Sequence, residues 1–568
     1  MFEQTYSNNG RNAGGSFGVA KVAKKQQKIS KLNRTFAFSN INHFMKFKTN
    51  FITTSEFRAM HPDTVVFDSD VYFTSLANKI LRALQSEKEM AKDFGEYFLR
   101  QFALKSAAYL EDVVSGWGLF NGFRKLHLQL NGKKLPFYTL DDEYYDDEIN
   151  LADVQFLVWT TMQEDFNHDK DGRFLNPENP GIAFMSAIIF DVLEDEYETA
   201  PENKRICELL HEWEYNDFFS FREILKWLCY NSYLSTNNVQ NTLTEMKISV
   251  RKNSRKNQTF SADKIIYLLE SNAVLNYVCT PLSVKAIDWF RAITTNENIL
   301  KKSEHLACRP FQTYKIMGGN EKTINLLPFG DNETMLQLSR ESINFLDDNS
   351  TREFQAGKEA IQAVLVFFDG LWQINGISMF LKMDEQVEIQ ENKKKKSEKQ
   401  HYENALYSHN EILKYNKNKP IAFLKNCDEW KKFWLGAFPD TPNIDEYFDK
   451  NPYKDEENIL LFSYPKNGMF ILPDAAALIK YPNNKLYDKQ TAQESGIALL
   501  TGDYPAPLEF LEFIIDNDYI PDACINSLKG AEYGRRLVQD NKWFITRFFQ
   551  PDLFESKIFD GLQAKEFD

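Results

Sequence analysis

Up to about residue 300 the apolar residues of this chain return every three or four positions; beyond it, segments appear in which they run together or alternate around turn dipeptides. Leu151, Val154, Leu157, Val158 and Met162 form one helical stripe, with Gln155 and Gln163 off it. Phe94, Tyr97, Phe98, Phe102, Leu110 and Val114 form another, broken by Ser115-Gly116-Trp117-Gly118. Asp68-Ser69-Asp70, ahead of Val71, Tyr72, Phe73, Leu76 and Ile80, reads as a helix N-cap. Asn150 with Asp153 resembles a capping box, Ser220 with Glu223 is another, and Ser261 opens a helix through Ile265, Ile266, Leu268 and Leu269. In the second half, Ala363 to Phe368, the Asp369-Gly370 turn and Leu371 to Ile374 read as a β-hairpin. Ile459 to Phe462 and Met469 to Leu472 around Pro465-Lys466-Asn467-Gly468 read as a second, and Glu333 to Phe345 as a helix. The expected fold class is α+β, with a mostly helical N-terminal half followed by smaller units of β-hairpins packed with helices.

These patterns divide the chain. Residues 1–48 read as a disordered basic tail, 49–300 as a helical domain and 301–385 as an α+β unit with a hairpin. Residues 386–420, with Lys393-Lys394-Lys395-Lys396 among acidic neighbours, read as a linker or exposed insertion, and 421–568 as an α+β C-terminal unit. The tail carries Gly14-Gly15-Ser16, then Lys21, Lys24, Lys25, Lys28, Lys31 and Arg34, the composition of a solvated arm. Met45 is an alternative translation start.

With 43% hydrophobic and 26% charged residues, the chain can bury real cores. Its 47 Phe and 25 Tyr are more than a disordered chain would carry. A net charge of −14 argues against nucleic acid or an anionic membrane as main partner. There is no apolar run of about 18 residues and no secretory h-region. The six cysteines include no C-x-x-C pair, which reads as reduced thiols rather than a disulfide framework or zinc site. A soluble cytoplasmic protein with a protein partner is expected.

One spacing points to a specific chemistry. In the stretch Asn167 to Glu178, oxygen donors Asn167, Asp169 and Asp171 fall at positions 1, 3 and 5 of an EF-hand-like loop. Gly172 takes the sharp-turn position and Glu178 the place of the bidentate carboxylate. Alternate residues of such a tight loop turn their oxygens inward, which is what a hard cation such as Ca²⁺ requires. Asn167 in place of Asp removes one charge, Leu175 cannot hold a water, and Pro177 delays the next helix. A polar helix-to-helix turn is the plainer explanation.

Other motifs fall short. Glu208 and His211 make half of a di-iron helix pattern, with no second pair. Gly318-Gly319 before Lys322-Thr323 fails as a phosphate loop because Glu321 stands where Gly is needed. There is no G-x-S-x-G, H-E-x-x-H, Walker or Rossmann motif, so no catalytic residue can be named. A carboxylate pair assembled only by folding stays open.

Several stretches resemble an uncharacterised bacterial family, a domain of unknown function. They are Tyr72-Phe73-Thr74-Ser75-Leu76-Ala77-Asn78, Lys134-Leu135-Pro136-Phe137-Tyr138, Glu148-Ile149-Asn150-Leu151-Ala152-Asp153-Val154, Ala200-Pro201-Glu202-Asn203 and Pro521-Asp522-Ala523-Cys524-Ile525-Asn526-Ser527-Leu528-Lys529-Gly530. The resemblance covers about residue 50 to the C-terminus, implies no activity, and does not include the Asn167–Glu178 loop. The leading expectation is a non-enzymatic interaction or structural protein. The alternatives are a calcium-binding regulatory module on Asn167, Asp169, Asp171 and Glu178, and a hydrolase using a carboxylate pair hidden in sequence order.

Overall fold

The computed structural model describes residues 51–62, 67–140, 142–166, 174–253, 261–329, 334–344, 353–383, 385–520, 522–525, 527 and 529–555. The helical half is built around α1 (Asp70–Ser86), α2 (Glu96–Ser115), α3 (Leu119–Asn131), α4 (Leu151–Phe166) and α5 (Pro180–Tyr197). Helix α2 packs against α1, α4 and α5. It stops where Gly116 takes φ +66°, a left-handed C-cap that a side chain rarely adopts. The layer is completed by α6 (Phe218–Tyr230), α7 (Ala262–Asn276) and α8 (Ala286–Ile293), with α8 lying against α3 and α6. Among the described residues no helix is long and apolar enough to cross a membrane.

Local capping differs in part from the sequence expectations. Ser261 does cap α7, accepting the Lys264 amide at 3.4 Å. Helix α6, however, begins one turn before Ser220–Glu223, because Asp217 accepts the Ser220 amide at 2.8 Å. The Asn150 amide group turns back to the preceding loop, bonding both the N–H and the carbonyl of Tyr145. A polar side chain takes whichever backbone group lies nearest, and here loop groups compete with the helix end.

Next come β1 (Ala307–Gly319), β2 (Thr323–Pro328), β3 (Leu336–Ser339), β4 (Glu359–Phe368) and β5 (Leu371–Lys382), which close a barrel in the order β1-β2-β3-β5-β4. All neighbours are antiparallel except β3 and β5. This is the five-stranded Greek-key arrangement of OB-type barrels, an architecture that does not by itself carry a function. The expected β4–β5 hairpin is present, turning at Asp369 (φ +49°) and Gly370 (φ +80°). The helix expected over Glu333 to Phe345 is corrected in its first part: the described residues form strand β3 before a single helical turn at Glu341–Asn344. Leu336 and Leu338 alternate into a core with Ile316, Leu326 and Ile374, so period two wins. The barrel docks on α7 through Asn375, whose Nδ2 donates to Ser271 O (2.9 Å) and Asn272 Oδ1 (3.0 Å). Arg222 Nη1 donates to Asn375 Oδ1 at 3.0 Å.

The polar stretch after the barrel is one continuous helix, α9 (Glu385–Tyr415). It leads to β6 (Ile421–Asn426), α10 (Cys427–Ala437), β7 (Glu457–Tyr464) and β8 (Gly468–Leu472). Strands β6-β7-β8 form an antiparallel sheet that includes the expected second hairpin. One face of the sheet packs Ile459 and Leu461 on Trp430. On the other, Phe462 meets Phe510 of α11 (Leu508–Asp516) at 5.2 Å. The chain then returns to its beginning: on α12 (Lys542–Phe549), Phe544 lies 5.3 Å from Phe137 and 6.0 Å from Trp159. Phe544→Ala removes this plug and is expected to cost about 3–5 kcal/mol in denaturant unfolding.

Candidate functional site

Of the four residues in the EF-hand-like loop, Asn167, Asp169 and Asp171 lie outside the described residues. Glu178 is committed elsewhere: Oε2 accepts Ser527 Oγ at 2.6 Å and Oε1 lies 3.0 Å from Lys529 Nζ. It thus ties the start of α5 to the loop before the C-terminal helices. Among the described residues, no three His, Cys, Asp or Glu side chains are grouped to hold a metal. The Glu208 and His211 pair is structural: Glu208 bonds Arg205, and His211 Nε2 lies 3.0 Å from Trp117 O.

The titratable chemistry gathers inside the helical half instead. His61 sits between Asp70 (Nδ1 to Oδ1, 3.1 Å) and Glu111 (Nε2 to Oε2, 2.8 Å). Its side chain is 2% exposed, and theirs are 1% and 0%. Ser69 Oγ and Asn203 Nδ2 donate to the other Glu111 oxygen at 3.2 and 2.8 Å. The rings of Phe57, Phe67 and Trp117 cover the imidazole edge-on. Burial opposes its protonation, but the bonds and charges of Asp70 and Glu111 outweigh burial and push His61 up to about 9.

A second cluster lies along the same helix. Asp153 Oδ2 accepts Tyr109 Oη at 2.8 Å and Arg124 Nη1 at 3.2 Å, while Oδ1 accepts Tyr144 Oη at 2.8 Å. Burial pushes the Asp153 carboxyl up to about 6 against the pull of Arg124. The helix expected after Asp68-Ser69-Asp70 does begin there, with Ser69 in the N-cap position, but Asp70 and Asp153 are buried partners of His61 and Arg124 rather than exposed capping carboxylates. His61 and Glu111 stand 50 positions apart, so no spacing could announce them. Asp70 and Glu111 do bring two carboxylates together, but on an imidazolium closed to solvent, which is the environment of a structural ion triad.

Helix α9 is exposed over part of its length. Residues 396–403 are exposed in unbroken succession, more than two turns, so the helix leaves the body there. Farther on, Ala405 and Ile412 bury its other end on the β6-β7-β8 unit. Lys399 and Glu403 lie 3.8 Å apart at i,i+4, and Gln400 donates to Asn404 at 3.0 Å, which holds a polar helix without packing. Tyr402 and Tyr407 stand 54% and 62% exposed on it.

The His61 triad makes stability depend on pH. Its folded value of about 9 lies above the usual 6.5, so its contribution is complete below pH 6.5 and lost as pH rises through 9. The loss over that window is expected to be about 3 kcal/mol. His61→Gln removes the cation shared by Asp70 and Glu111, leaving Arg58 3.3 Å from Asp70, and is expected to cost about 3 kcal/mol at pH 6 and to abolish that slope. Guanidinium unfolding across pH 6 to 9.5 checks both.

No curated protein and no solved structure matches the chain. A family model described as "Protein of unknown function (DUF3843)" matches residues 52–310 and 352–550, leaving out most of β1, all of β2 and β3. That match takes in both ionic clusters, α9 and the returning helix α12, and the chain belongs to this family of unknown function, DUF3843.

Proposed function

We propose that the chain is a non-enzymatic interaction or structural protein whose partner is another protein, met through α9. The observation that carries this reading is the unbroken exposure of residues 396–403 on a 31-residue helix whose later residues Ala405 and Ile412 are buried. At 1.5 Å per residue the helix is about 46 Å long. A polar helix that projects from a packed body offers charged side chains and the Tyr402 and Tyr407 rings at little desolvation cost, and tyrosine is favoured at protein interfaces. The sealed His61 and Asp153 clusters support the same reading, since each links segments of the fold rather than facing solvent. The net charge of −14 favours a protein over a nucleic acid.

A photo-crosslinking residue at Tyr402, in cells, is expected to give a discrete protein adduct that weakens when Lys396 and Lys399 are changed to Ala. The same residue at Val71, 70% exposed on α1, serves as control. Identical adducts from both positions, or turnover of a substrate by the purified chain, would overturn the proposal.

A further inference from the structure

Helix α5 buries Ile182, Met185, Ile189 and Leu193 in the helical half. On its opposite side Phe184, Ala187, Asp191, Glu194 and Glu198 are exposed at intervals of three and four residues, one stripe that no described element covers. Phe184, 42% exposed, makes the start of the stripe apolar, and the three carboxylates make its end acidic. Among the described residues none of these three forms an ion pair, whereas neighbouring Asp195 and Glu196 are taken by Lys79 at 3.6 and 2.9 Å. The exposed Asp147 and Glu148 adjoin the acidic end, since Tyr197 Oη donates to Asp147 O at 3.4 Å. Like charges three and four apart on one helix repel, so this face is short of cations.

The chain itself carries the cations that the face lacks. Residues 1–50, which precede the described residues, hold nine Lys and Arg and one Glu, a net of +8, so the rest of a chain of net −14 carries −22. Six of the nine fall between Lys21 and Arg34, with Val22, Ile29 and Leu32 among them. The join to the folded body also lies beside the face. Asn78 on α1 accepts the Ile52 N–H and donates to the Ile52 carbonyl, both at 2.8 Å, and Lys79, the next residue, is the one that reaches Asp195 and Glu196 on α5. The 17 residues from Arg34 to Phe51 can span up to about 56 Å at about 3.3 Å each, twice the roughly 27 Å length of α5.

We propose that the basic segment Lys21–Arg34 docks in cis along the outer face of α5, its cations on Asp191, Glu194 and Glu198 and its apolar side chains toward Phe184 and Ala187. Tethering raises the effective concentration of the segment at the face to about the millimolar range, so ion pairs too weak to hold a free peptide hold it there. The contact uses no residue of α9 and does not depend on the interaction reading.

The test uses the full chain, Met1 to Asp568, as an equal mixture of ordinary and ¹⁵N-labelled protein treated with a water-soluble carbodiimide, which joins a lysine to a carboxylate in direct contact. Peptide mass spectrometry is expected to find lysines of the segment linked to Asp191, Glu194 or Glu198 of the same chain. The yield is expected to fall as salt rises from about 20 mM to about 0.5 M, because exposed pairs are screened. Asp191→Asn, Glu194→Gln and Glu198→Gln combined are expected to speed tryptic cleavage within the segment by about threefold or more, the joint scale of exposed ion pairs. Asp440→Asn, Asp449→Asn and Asp455→Asn, an equal charge change on exposed residues elsewhere, are expected to leave that rate unchanged. All six substituted residues are exposed, so both variants are expected to fold. No link to this face, links only between chains, a yield indifferent to salt, or equal acceleration by both triple variants would overturn the assignment.

Discussion

Helix α2 presents three buried polar side chains within one turn, and the helical half is assembled on them. Tyr109, Glu111 and Asp112 are separated by one hundred degrees per residue, so they leave the helix in different directions. Tyr109 reaches Asp153 and the amide of Asn150, fixing the start of α4. Glu111 holds His61, Ser69 and Asn203. Asp112 accepts the amides of Leu119 and Phe120 at 3.1 and 2.9 Å, closing the N-terminus of α3, and accepts Tyr233 Oη at 2.6 Å. A buried carboxylate left without such donors would cost several kcal/mol, so alternative packings of these helices are penalised strongly.

The same logic explains why the perturbed side chains of the helical half are poor guides to catalysis. Shifted protonation is common at active sites, but it follows equally from burial beside a fixed charge. His61 and Asp153 are of the second kind, because both side chains are buried beside fixed charges. Charges near the surface are distributed differently. On α9 they pair along the helix in view of solvent.

Much of the architecture was legible from local pattern. The helical stripes of α1, α2 and α4, the two hairpins and the family resemblance from about residue 50 onward are all present. Strand β1 escaped because Pro310 and two bulges interrupt its alternation, and β3 because four residues are too few to display a period beside a helical neighbour. Over its exposed residues 396–403 the stretch that forms α9 carries no apolar face, and its helicity there rests on Glu, Lys and Gln propensity with i,i+4 pairs instead. The ionic clusters were invisible for another reason: their members are brought together by packing from distant positions, so sequence order holds no trace of them.

The return of α12 to the first half has a consequence for synthesis. The Phe137 amide and the Asn541 side chain that accepts it are 404 positions apart. At about 5–20 residues per second, roughly 20–80 s separate their emergence from the ribosome. Through that interval Phe137, Phe156 and Trp159 lack the ring of Phe544 that covers them in the finished fold. The nascent helical half therefore waits tens of seconds with this apolar surface uncovered, and α12 is the piece that closes it.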